Sequence, residues 1–245
     1  MAEKVHTLSF YGTDGCGKSS IAKAMSNPEG QDYVHIGGSS YHSWLTDDVA
    51  RMTLGPGHKL NEYSSDEEDS LSLYEDIAVA CYGLAERLNS EGKSVLIDSD
   101  PYTKRIIWST VKNGSFDLAY IRKFESKMSD YLGETTAPSH FAAINMNGAS
   151  LDAQLLKRLQ SRHTNSMHDP TEISDMMALS TQVRNVWREI ELAKTGLSAI
   201  DGFNKRLRDA EIIHVENADC MPENIEAQSA SIAYIIKSAI GRDQN

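Results

Sequence analysis

Eight consecutive residues near the start of the chain, Gly12-Thr13-Asp14-Gly15-Cys16-Gly17-Lys18-Ser19, constrain its fold more than any other feature. They match G-x-x-x-x-G-K-[ST] in full. The stretch before them, Val5 to Tyr11, reads as a strand, and Ser20-Ile21-Ala22-Lys23-Ala24-Met25 after them reads as a helix. In that setting the glycines let the backbone curl so that successive N–H groups converge on an anion, and the helix presents its positive end to the same point. The predicted cradle is Gly12, Thr13, Asp14, Gly15, Cys16, Gly17, Lys18, Ser19 and Ser20. Lys18 is expected to reach the β- and γ-phosphates of a nucleoside triphosphate. Ser19 is expected to place its hydroxyl on Mg2+, a hard cation that takes oxygen ligands. Chance produces the motif in roughly one chain of this length in a hundred, and the flanking strand and helix lower that several-fold.

The rest of the chain supplies the frame such a loop needs. Short apolar runs at Tyr33 to Ile36, Ser94 to Ile97, Phe141 to Met146 and Glu211 to Val215 read as further strands. Helical periodicity separates them, most clearly from about Asp66 to Asn89, where Ser65 and Glu68 form a capping signal and Gly92 a stop. Leu151 to Arg162, Thr171 to Ala193 and Pro222 to Ile240 also carry helical pattern. Strands alternating with helices predict right-handed crossovers and an α/β fold: a central parallel sheet of about five strands with helices on both faces. No linker divides the 245 residues, so residues 1–245 are expected to form one domain.

Composition narrows the partners. Lys+Arg 24 against Asp+Glu 35 gives a net charge of −11, which argues against nucleic acid as a partner. No run of about 18 apolar residues is present to span a membrane. Cys16, Cys81 and Cys220 fit neither a disulfide framework nor a zinc site. A cytoplasmic location is the expectation.

Two other users of the same cradle are disfavoured. The guanine-reading Asn-Lys-x-Asp of switch GTPases has one near match, Asn204-Lys205-Arg206, followed by Leu207, and no long apolar strand ends in the Asp-Glu of motor ATPases. Phosphoryl transfer to a small molecule remains, with a non-catalytic ATP-binding switch as the competing class. Asp98, closing a strand expected beside the first, stands at the carboxyl edge where open α/β sheets bind ligands. It can take the acceptor's proton or hold magnesium through water. Asp100 shares that edge, either on the substrate or as a turn residue before Pro101. Arg158 and Arg162 lie on one helical face and can swing over the γ-phosphate.

These residues resemble the thymidylate kinase family of nucleotide and nucleoside kinases. The phosphate loop with its Asp-Gly pair is similar to that family's. Gly37-Gly38-Ser39 follows the second strand as its substrate loop does, Val95-Leu96-Ile97-Asp98 resembles its third strand, and Leu155 to Leu159 with Arg162 looks like its arginine-bearing lid. The resemblance implies a three-layer P-loop kinase fold with a helical lid at about residues 155–172, use of ATP and Mg2+, and a homodimer. It also implies substrate contacts from Asp14, Gly38 and Ser39. The chain departs from the pattern twice. Ser99 follows Asp98 where the family has arginine, and Tyr74-Glu75-Asp76 replaces its other Asp-Arg pair. Carboxylates in place of cations weaken binding of a monophosphate, which favours a hydroxyl acceptor: a nucleoside first, then another metabolite, then a modified base in DNA. A monophosphate acceptor requires replacement cations, for which Arg51 and Arg105 are the candidates.

Overall fold

The computed structural model describes residues 5–12, 16–26, 33–36, 67–133, 138–145, 170–216 and 225–242. Within them the sheet is five-stranded and wholly parallel. Its strands are β1 (Thr7–Tyr11), β2 (Tyr33–Ile36), β3 (Ser94–Ile97), β4 (His140–Asn145) and β5 (Glu211–Glu216), in the spatial order β2-β3-β1-β4-β5. Each read from the sequence within two residues of its observed ends. The inner strands are buried on both faces and so appear as near-continuous apolar runs.

Around the sheet lie seven helices among the described residues: α1 (Lys18–Met25), α2 (Glu67–Ser90), α3 (Pro101–Asn113), α4 (Leu118–Leu132), α5 (Pro170–Ala193), α6 (Asp201–Arg206) and α7 (Ile225–Arg242). Strand alternation sorts the core into two layers. On one face Leu8, Phe10, Leu96, Ala142 and Ile144 pack against Ile21, Ala22 and Met25 of α1 and Ile232, Ala233, Ile236 and Ile240 of α7. On the other, Tyr11, Val95, Ile97 and Phe141 meet α2, α3, α4, α5 and α6 through Ala78, Tyr82, Ile106, Phe124, Val186 and Phe203. The architecture is therefore the predicted three-layer α/β fold.

β1 is flanked by β3 on one side and β4 on the other; the connection from β1 runs toward the β2 edge and that from β3 runs the other way, past β1 to β4. In open α/β sheets the ligand crevice lies at the carboxyl end of the strands at such a reversal. The end of β1 and the end of β3 border it.

A second set of contacts fastens α6 to this region. The guanidinium of Arg206 lies 4.6 Å from the ring centroid of Tyr82 and 4.9 Å from that of Tyr102. The hydroxyl of Tyr102 donates to Glu125 on α4, and the same carboxylate oxygen accepts from the backbone N–H of Gly202 at 3.0 Å. None of the described helices is long and apolar enough to cross a membrane.

Candidate active site

β1 delivers the chain into the crevice and Gly12 turns it. Gly12 has φ 154°, and a Cβ there would stand 2.7 Å from both the sulfur of Cys16 and the carbonyl oxygen of Ile144, so backbone conformation and space both demand glycine. Gly17 precedes α1 with φ 96°, and no side chain caps the helix, leaving the first-turn N–H groups directed at whatever occupies the loop. Lys18 begins α1. Its side chain is buried, and its ammonium donates to the carbonyl oxygen of Gly12 at 2.9 Å, which ties the two ends of the loop together. The buried Cys16 thiol fills the inside of the turn, 3.9 Å from the same nitrogen. Ser19 is exposed and Ser20 half-buried. Thr13, Asp14 and Gly15 lie outside the described residues.

Beside this loop, β3 ends on two carboxylates with different surroundings. Asp98 is buried, and its Oδ2 accepts no hydrogen bond; Nε2 of His35 stands 3.4 Å from it. His35 lies opposite Leu96 in the β2–β3 register, so alternation puts His35 and Asp98 on the sheet face covered by α1. Asp98 is thus on the phosphate-loop side, about one strand spacing, ~4.8 Å, from the line of β1.

Asp100 has every strong partner it can use. Its Oδ1 accepts from the Thr103 N–H at 2.8 Å, capping α3, and Pro101 fills the first helical position. Its Oδ2 accepts from the Ser9 hydroxyl at 2.8 Å and from the Tyr82 hydroxyl, on the face opposite α1. Burial first, then the Asp100 charge, raises the Tyr82 hydroxyl well above the usual tyrosine range, so it stays a donor. Asp100 thus caps α3 and ties β1 and α2 to its start. Ser9 and Tyr82 carry no motif that would have singled them out. His35 left one signal, a polar residue inside an otherwise apolar four-residue strand.

The acids at Glu75 and Asp76 are likewise engaged. The Lys127 ammonium stands 2.7 Å from Asp76 and 3.2 Å from Glu75, and the Tyr120 hydroxyl donates to Glu75 at 2.9 Å. Arg105, buried, donates through Nε to the Tyr120 oxygen and holds its guanidinium 4.9 Å from that ring's centroid. Gly38, Ser39, Arg51, Arg158 and Arg162 lie outside the described residues, as does the lid region apart from residues 170–172, which begin α5.

Donor chemistry in the loop fits a polyphosphate: backbone amides at an uncapped helix start, one ammonium, and a glycine whose position excludes a side chain. The hydroxyl of Ser19 and the Asp98 carboxylate, with its orphaned buried oxygen, are the oxygen ligands that suit Mg2+, directly or through water.

No protein-family model and no curated protein sequence matches the chain. Among solved structures it is similar to the thymidine kinase EHV4-TK complexed with TP4A. That match has 10% identity and a TM-score of 0.54, and covers 94% of this chain and 90% of that one. It is also similar to deoxyadenosine kinase from M. mycoides with bound dCTP, at 11% identity and TM-score 0.51, covering 95% of this chain and 99% of that one. Both are P-loop nucleoside kinases. At these identities the likeness speaks to architecture alone, and it extends over nearly the whole of each chain. The five-stranded parallel sheet, its flanking helices and the glycine-lined turn after β1 together give this chain the fold of the P-loop kinases.

Proposed function

We propose that the protein transfers the γ-phosphoryl group of Mg·ATP to a hydroxyl of a small-molecule acceptor of the nucleoside class. The observation that carries this reading is the juxtaposition at one sheet edge of the Gly12–Lys18 loop and the buried carboxylate of Asp98, whose Oδ2 accepts no hydrogen bond. Catalysis in such a site is positioning plus neutralisation of the transferring group. Lys18 and the α1 amides hold the phosphate tail. Ser19 and Asp98 would hold magnesium, which would supply charge neutralisation at the phosphate tail. Arg158 and Arg162 are assigned to the lid, and Asp14, Gly38 and Ser39 to the acceptor side.

Arg105 supports a neutral acceptor over a monophosphate. Its Nε donates to Tyr120, whose hydroxyl donates to Glu75, and Arg105 and Lys127 together face the two carboxylates Glu75 and Asp76, so this cluster carries no net positive charge to offer a second phosphate. The thymidylate kinase resemblance thus narrows to its nucleoside-accepting relatives.

The test is acceptor-dependent ADP release. Purified protein with ATP and magnesium is expected to release ADP when nucleosides are added, faster than with the corresponding 5′-monophosphates. ATP binding with no acceptor-dependent release would replace the kinase reading with a nucleotide switch.

A further inference from the structure

Among the described residues, His35 stands beside the candidate site and none of this chemistry has used it. It stands on the edge strand β2, on the α1 face of the sheet, with Nε2 3.4 Å from Oδ2 of Asp98. The two side chains differ sharply in access: 29% of the His35 side chain is exposed against 3% for Asp98. Oδ2 of Asp98 is sealed from solvent and accepts no hydrogen bond. Of the two groups the imidazole is therefore the one that solvent, and a dissolved molecule, can reach.

Position points the same way. The phosphate loop rises from β1, and two strand spacings, about 10 Å, separate β1 from β2. An acceptor taking the γ-phosphoryl group must lie to the side of the triphosphate, away from the helix that holds its tail. On the β3 side of β1, the residue on this face beyond Asp98 is His35.

We propose that His35 is a specificity-determining residue that receives the acceptor's hydroxyl, with Asp98 as the group that positions it. The inference rests on the kinase reading above. A carboxylate oxygen can only accept, so as the 3.4 Å contact closes in the substrate complex Nε2 is the donor toward Asp98. The other ring nitrogen then offers a lone pair and has no partner among the described residues. It accepts a hydrogen bond from an O–H group and has nothing to give a phosphate oxygen. The 3.4 Å separation is longer than a well-formed bond, as is common for functional pairs before the substrate complex forms.

Three variants separate this role from a structural one. His35→Gln reproduces the Nε2 donor toward Asp98 and lacks the second nitrogen's lone pair. His35→Asn places an amide oxygen near that second position, and His35→Ala removes both. The probes are a mixture of ribo- and deoxynucleosides, then the same set as 5′-monophosphates, with ADP release as the readout and a melting curve for each variant. His35→Ala and His35→Gln are expected to raise KM for the nucleosides roughly five- to tenfold, the loss of about one hydrogen bond, with ATP KM within twofold of the unaltered protein. His35→Asn is expected to recover at least half of that loss on a logarithmic scale. Equal nucleoside KM in all four proteins would overturn the assignment while leaving the kinase reading intact, as would full rescue by Gln and none by Asn. Absence of acceptor-dependent release from the unaltered protein would overturn both.

Discussion

Asp98 and Asp100 are the same residue type, two positions apart, both buried at the carboxyl end of β3, and they do opposite work. Asp100 is a keystone: one oxygen caps α3 and the other gathers hydroxyls from β1 and α2, so its charge is spread over three donors within the protein. Asp98 has a buried oxygen with no hydrogen bond. An unpaired carboxylate oxygen in a protein interior is expensive to maintain, and a fold selected for stability alone would satisfy or replace it. The contrast teaches that two buried acids at one end of a strand can differ in how far the protein itself satisfies them.

The comparison can be broken in four ways, in descending order of expected effect. Lys18→Ala removes the ammonium from the loop on the Asp98 side of the pair and is expected to lower kcat about 10³-fold or more, read as ADP release at saturating nucleoside. Asp98→Asn is expected to lower kcat by about 10²–10³-fold while the melting temperature and ATP affinity, measured by calorimetry, stay near those of the unaltered protein. If it instead unfolded the protein, Asp98 would be a second keystone and the contrast would collapse. Asp100→Ala is expected to destabilise by ~2–4 kcal/mol in urea unfolding, through a lost helix cap and two buried hydroxyls left without their acceptor. Tyr82→Phe removes a single donor from Asp100 and is expected to cost ~1 kcal/mol in the same assay, with kcat changed less than by Asp98→Asn.

The parts of this architecture readable from sequence were those set by local rules. Gly12 and Gly17 must be glycine because of their own backbone angles and, for Gly12, the crowding around it, and so the loop advertised itself. Strands β2 and β3 read at their observed bounds because each is a short run dominated by β-branched, aromatic and other apolar residues, the composition that suits a pleated sheet. The start of α3 was not read: Asp100-Pro101 reads as a turn until Thr103 is seen donating to the carboxylate. What distinguishes the two acids was not readable. The partners of Asp100 are 91 and 18 residues away in the chain, and the meeting of His35 with Asp98 depends on the β2–β3 register. Such contacts are properties of the assembled sheet, and no spacing along a single segment encodes them. The arginines assigned to the lid and the Gly38-Ser39 turn fall outside the described residues, so their roles stand as proposals.

Arg206 offers a last consequence. Because its flat cation is slotted between the phenol rings of Tyr82 and Tyr102, the short helix before β5 is clamped over an area rather than pinned at one atom. Tyr82 also grips the acid that begins α3, so slackening one end of this stack slackens the other. Amides near Phe203 and near Thr103 should accordingly exchange with deuterium in concert, and an Arg206→Lys protein, with a round cation in place of a flat one, should uncouple them.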